Sequence, residues 1–142
     1  MTTDDGDPAV GLDTSVVLRL LTGEPPRQAD RAMELVGELR QADRPVLVSD
    51  LVVAEAYYAL HAHYDVPKRK ALAALLDLLE SELVAPEPGG CSLATLRTAV
   101  SASARPGFVD RLLHAQYRRG QAQVASFERA FGRLDGALVL KA

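Results

Sequence analysis

The 142-residue chain has no tryptophan, one cysteine (Cys91) and only 5% aromatic residues. A single cysteine excludes an intramolecular disulfide framework and a multi-cysteine zinc site. It also fits a reducing compartment. No uninterrupted apolar run approaches the ~20 residues that span a bilayer. The opening MTTDDGDP is acidic and polar, unlike a secretory leader. There is no internal repeat. The chain also lacks an overall basic excess, with a net charge of −3. These absences leave the expectation of a soluble, cytoplasmic protein with no membrane partner.

What is present is ordinary for a globular chain: 48% hydrophobic and 25% charged residues. The length predicts one domain with a real core, over residues 9–142, behind a flexible tail at 1–8. The charge is unevenly spread. Residues 1–103 hold 9 Lys/Arg against 16 Asp/Glu, a balance of −7. Residues 104–142 hold 7 against 3, a balance of +4. The last third is therefore suited to face a polyanion although the whole chain is acidic.

Short apolar runs alternate with amphipathic stretches. AVGLD (9–13) reads as a buried strand ending on an acid. A helix follows through VVLRLL and stops at GEPP. RQADRAMELVGELRQAD predicts a second helix with Ala32, Leu35, Val36 and Leu39 on one face. VLVS (46–49) is the second strand, and Ser49 or Asp50 caps the next helix. A further amphipathic helix starts after Pro67, and LVAP (83–86) is a short third strand. CSLATLRTAVSAS and FVDRLLHAQYRRG read as helices, the latter ended by Gly120. QVASF (123–127) and ALVLK (137–141) are the last strands. Strands alternating with helices predict an α/β fold, with a parallel sheet covered on both faces.

LVVAEAYYAL (51–60) carries one charge, Glu55. At helical spacing Glu55 shares a face with Leu51, Val52, Tyr58 and Ala59, a pattern that predicts a core face. An ionised carboxylate buried without partners costs several kcal/mol. Glu55 must therefore have a partner, reach solvent or belong to a site. Ligands of parallel sheets bind beyond the carboxyl ends of the strands. Asp13 ends the first strand, Glu55 lies just past the second, Asp110 opens the helix before the fourth, and Glu128 follows the fourth. Each alone fits a helix cap or a dipole partner. Together they predict an acidic cluster whose mutual repulsion a divalent cation relieves. Oxygen ligands without a His/Cys set select Mg²⁺ or Mn²⁺.

The run GLDTSVVLRLLTGEPPRQADRA resembles the opening of PIN-domain ribonucleases of the VapC toxin type, from type II toxin–antitoxin systems. SDLVVAEAYYALHAHYDVP resembles their acidic helix, and GFVDRLLHAQYRRGQAQVASFERAFGRL their closing acidic region. The resemblance covers residues 9–141. It implies a three-layer α/β/α sandwich with a parallel sheet and Mg²⁺- or Mn²⁺-dependent endoribonuclease activity. It further implies an RNA substrate such as tRNA, a cognate antitoxin protein as partner, and a homodimer. In it Asp13, Glu55, Asp110 and Glu128 are the catalytic and metal-binding acids. Glu128 stands where the family usually has Asp, after Ser126, and Asp135 is the alternative fourth acid. Thr14 and Ser15 fit the family's polar pair, orienting Asp13 or a phosphate oxygen. The resemblance also implies attack on phosphorus by a metal-activated water, with 5′-phosphate and 3′-hydroxyl ends as products. The acids repel RNA, so phosphate contacts must lie outside them; Arg105, Arg111 and Arg129 are nearest in sequence, and Arg105 and Arg111 are the expected contacts.

Two rival readings remain. A non-catalytic module of the same fold would bind RNA or a partner. A phosphotransfer enzyme would use Asp13 as nucleophile, but DTSV lacks the second acid of DxDx enzymes. The pattern also lacks the third-strand Asp and internal late Lys of receiver domains. His61 and His63 are two apart and make a poor metal pair on a helix.

Overall fold

Local chemistry sets the helix starts. The Asp13 carboxylate accepts the Val16 N–H and caps helix α1 (Thr14–Thr22). Gly23, at φ 72°, closes that helix in the left-handed region where a Cβ would be strained. Helix α2 (Pro26–Gln41) opens on a proline, whose missing N–H costs nothing in the first turn. The Ser49 hydroxyl accepts the Val52 N–H and starts helix α3 (Asp50–Ala62). Helix α4 (Lys68–Glu80) follows Pro67.

The computed structural model describes residues 8–142, so the expected tail at residues 1–8 lies outside them apart from Pro8. The chain divides into two compact units, Met1–Gly89 and Gly90–Ala142. In the first, strands β1 (Val10–Gly11), β2 (Val46–Val48) and β3 (Ala85–Pro86) form a parallel sheet in that order. Val10 lies opposite Val46, and Leu47 opposite Ala85. Parallel neighbours need long crossovers, and a pair of helices provides each one. Helix α1 packs on α2 and α3, and α3 packs on α4. Val17, Val36, Val48, Val53 and Leu75 are among its largest fully buried side chains.

The second unit contains helices α5 (Ser92–Ala99) and α6 (Phe108–Arg119), packed on each other. Strands β4 (Ala125–Ser126) and β5 (Leu138–Val139) pair in parallel, with a 3-10 helix at Arg129–Arg133 between them. Leu96, Phe108, Leu112, Val124 and Phe131 are its core. The fold is thus α/β with parallel strands, consistent with the PIN-like α/β/α class.

Three details depart from the sequence reading. The strands are two or three residues long, because single slanted bonds such as Leu12 N–H to Leu47 O (2.9 Å) and Leu140 N–H to Ser126 O (2.7 Å) carry the pairing past their ends. Among the described residues they pair as two sheets instead of one. Glu55 is also not on a core face. Val52, Val53, Ala56 and Leu60 are buried. Glu55 shares an exposed stripe with Leu51, 70% exposed, and Tyr58, 63% exposed. Helix α3 is apolar nearly all round, so periodicity could not choose its inner face.

This assignment predicts opposite outcomes for one substitution on one helix. Leu60→Ala, at a site 3% exposed, should destabilise by about 2–5 kcal/mol in urea melts. Leu51→Ala should stay within about 0.5 kcal/mol of wild type. Equal effects would contradict the assigned face.

Candidate functional site

The first unit places Asp13 at the carboxyl end of β1, as the N-cap of α1. Its Oδ1 accepts from the Ser15 hydroxyl at 2.6 Å and from the Val16 N–H at 3.2 Å. The Ser15 bond and then the Val16 N–H hold the Asp13 carboxyl below the usual aspartate range. Asp13 is exposed, so it stands ionised in contact with water. The hydroxyl next door acts on a different acid. Thr14 Oγ1 donates to Glu55 Oε1 at 2.6 Å, across 41 residues of sequence. The expected polar pair therefore serves one carboxylate each, and the bond from Thr14 fixes the Glu55 head on its exposed stripe. That answers why a lone acid stands in LVVAEAYYAL: it reaches solvent and has a partner.

The second unit brings Asp110 and Glu128 together. Asp110 lies in the first turn of α6, half-buried. A helix N-terminus alone would favour its ionised form. Instead its carboxyl is pushed above the usual range, by burial first and then by the negative charge of Glu128. Glu128 directly follows β4 and leads into the 3-10 helix. Its N–H donates to the Ser126 hydroxyl at 2.9 Å, so Ser126 braces the backbone of the acid beside it.

Asp135 is differently engaged. Its Oδ2 accepts from Arg118 Nη2 at 3.0 Å, and its carbonyl accepts from His114 Nε2 at 2.7 Å. Gly136 makes room for this, since a Cβ there would stand 2.8 Å from Arg118 Nη1, and its φ is 74°. Asp135 already has a cation, and Glu128 is the acid whose charge bears on Asp110. Arg111 turns its guanidinium onto its own loop, donating to the carbonyls of Pro106 (2.8 Å) and Ser103 (3.4 Å). Arg133 donates to the Arg105 carbonyl at 2.9 Å. Two guanidinium groups thus brace the loop that presents Arg105.

One acid escaped the sequence reading. Glu87 directly follows β3, and its Oε1 accepts the N–H of Asp50, itself 4% exposed, at 2.7 Å. Its position after a strand, like that of Asp13 and Glu128, was the available signal. Here the geometry assigns a structural role, because Glu87 satisfies a donor at the start of α3.

Among the described residues no three His, Cys, Asp or Glu side chains gather closely enough to hold a metal ion by themselves. Each unit instead offers a pair of acids. The donors are carboxylate and hydroxyl oxygens, which suit a hard divalent cation completing its shell with water.

Two predictions follow from these shifts. Ionised Asp110 is disfavoured in the fold, a cost present above its raised pKa and gone below the ordinary aspartate value of 3.8. In EDTA at neutral pH, Asp110→Asn should be at least as stable as wild type in urea melts, and any advantage should vanish below that pH. A clear loss of stability at neutral pH would contradict the assigned cause. Asp13 has the opposite sign: its lowered pKa gives stability above 3.8 that is lost on further acidification. Asp13→Ala should cost about 1 kcal/mol through the lost cap, and Asp13→Asn, also a good cap, only a few tenths.

The family model for the PIN domain matches residues 10–137, most of the chain. No curated protein matches it. The match spans both acid pairs, and the chain belongs to the PIN-domain family, generally nucleases that commonly depend on divalent metal ions.

Proposed function

We propose that the protein is a Mg²⁺- or Mn²⁺-dependent endoribonuclease, the VapC-type toxin of a toxin–antitoxin pair. The observation that carries the reading is Asp110, a half-buried acid at the start of α6 whose carboxyl is pushed up by burial first and then by the charge of Glu128. The Asp13 and Glu55 pair, each tied to its own hydroxyl, supports it. So do the three sequence motifs, which are also the basis for a cognate antitoxin, a cytoplasmic setting and a homodimer. The two units are read as one functional domain because one family model spans them.

In this reading Asp13 and Glu55 in the first unit, and Asp110 and Glu128 in the second, would be the cation ligands. When bound, a divalent cation lowers the pKa of water and stabilises charge on phosphoryl oxygens. Ser15 and Val16 keep Asp13 ionised, so it needs no deprotonation before use. Thr14 keeps Glu55 aimed, which limits the reorganisation required on binding. Ser126 does the same for the backbone at Glu128. Water supplies the oxygen that joins phosphorus and the P–O3′ bond breaks. The leaving 3′ oxygen takes a proton, giving 5′-phosphate and 3′-hydroxyl ends. Arg105, on its braced loop, and Arg111 supply phosphate contacts outside the acids.

Incubation with total RNA, tRNA included, tests the proposal. Cleavage should require Mg²⁺ or Mn²⁺ and stop in EDTA. Asp13→Asn and Asp110→Asn should each lose about a hundredfold or more in rate, the scale of one lost electrostatic contact at a reacting centre. Asp135→Asn should retain activity within a few fold. Metal-dependent RNA binding without cleavage by the wild-type protein would favour the non-catalytic module. A stable phospho-aspartate at Asp13 would favour phosphotransfer.

A further inference from the structure

Phe127 is 67% exposed, immediately before Glu128. A large apolar ring left in water forgoes the free energy of burial, so its position needs a reason. The residues on either side of it are held by hydrogen bonds. The Ser126 carbonyl accepts from Leu140 N–H at 2.7 Å and the Ser126 hydroxyl from Glu128 N–H at 2.9 Å. The Glu128 carbonyl accepts from Phe131 N–H at 3.2 Å. Val124 is buried and Ser126 half-buried, while Ala125 and Phe127, the residue just past β4, are exposed. The ring is therefore displayed between hydrogen-bonded neighbours, adjacent to an acid whose charge reaches Asp110.

The charge of this unit indicates what the ring meets. Residues 90–142 hold eight Lys/Arg against three Asp/Glu, a balance of +5, while residues 1–89 carry −8. A second copy of the same unit would bring like charge to the ring, whereas a polyanion brings the opposite. Tyr58, the other aromatic exposed to a similar degree, lies in the acidic unit and already makes an edge contact with His63, with ring centroids 5.9 Å apart. An exposed aromatic in a basic unit is the combination that binds single-stranded nucleic acid, with phosphates attracted by charge and a base stacked on the ring.

We propose that Phe127 is a stacking platform for a nucleobase of the single-stranded RNA next to the acid pair. This rests on the nucleic-acid reading above but not on cleavage. Every base offers a π-face, so the contact favours nucleotides over bare backbone without selecting one base.

The test is binding in EDTA, by fluorescence anisotropy, of a labelled oligoadenylate and of its abasic counterpart with the same number of phosphates. The wild-type protein should prefer the oligoadenylate by roughly 5- to 150-fold, the range reported by alanine substitution at stacking aromatics. Phe127→Leu, which stays apolar but loses the ring, should bring the two affinities together. Phe127→Trp should keep the preference, and the salt dependence should be the same in all three. No preference in the wild type, or a preference retained by Phe127→Leu, would overturn the proposal, and the latter would mark the site as a plain apolar docking face. Far-UV circular dichroism confirms that each variant is folded. Wild-type protein that fails to cleave RNA with Mn²⁺ yet keeps this base preference would overturn the nuclease reading alone.

Discussion

Carboxylates that work together must stand close while ionised, and that proximity is unfavourable until something positive joins them. The acids of this chain meet the constraint in two ways. In the first unit, donors prepare the carboxylates: Ser15 and Val16 bind Asp13, and Thr14 binds Glu55. In the second, the cost is left standing, as burial and Glu128 push the Asp110 carboxyl up. Other acids nearby are spent on structure. Asp135 is compensated by Arg118, and Glu87 by the Asp50 N–H.

The fold serves that arrangement. Asp13 is both a helix cap and a candidate ligand, and the two roles do not compete. An N-cap carboxylate is already ionised and already fixed, so capping prepares it. The neighbouring threonine spends its hydroxyl on α3 instead of its own helix, tying two elements together at their exposed edge. Arg111 and Arg133 likewise brace the loop before α6 by binding backbone carbonyls, which fixes where Arg105 leaves the chain.

Much of this was legible in the sequence, and the failures have physical causes. Helix limits were readable because caps are local: Asp13, Gly23, Pro26, Ser49 and Pro67 each act within a few residues. The inner face of α3 was not readable. Leu51, Val52, Val53, Ala56, Tyr58 and Leu60 surround the helix with apolar groups, and only packing chooses among them. Strand length was overread because apolar runs extend past the bonded ladder. The pairing of Thr14 with Glu55 is a tertiary contact over 41 residues, and no local pattern encodes it. The choice of Glu128 over Asp135 hinged on Arg118, whose reach depends on the space at Gly136. Phe127 escaped notice because a single aromatic in an apolar run reads as core until its exposure is known.

The central claim is that Asp110, whose charge is opposed by burial and by Glu128, takes up a divalent cation, and that Asp135, already facing Arg118, does not. Calorimetric titration with Mn²⁺ tests it directly, without RNA or turnover. The account predicts binding by the wild-type protein that weakens by about tenfold or more in Asp110→Asn. Binding should be unchanged in Asp135→Asn, whose carboxylate already faces Arg118. Equal binding by all three proteins, or a loss confined to Asp135→Asn, would contradict it.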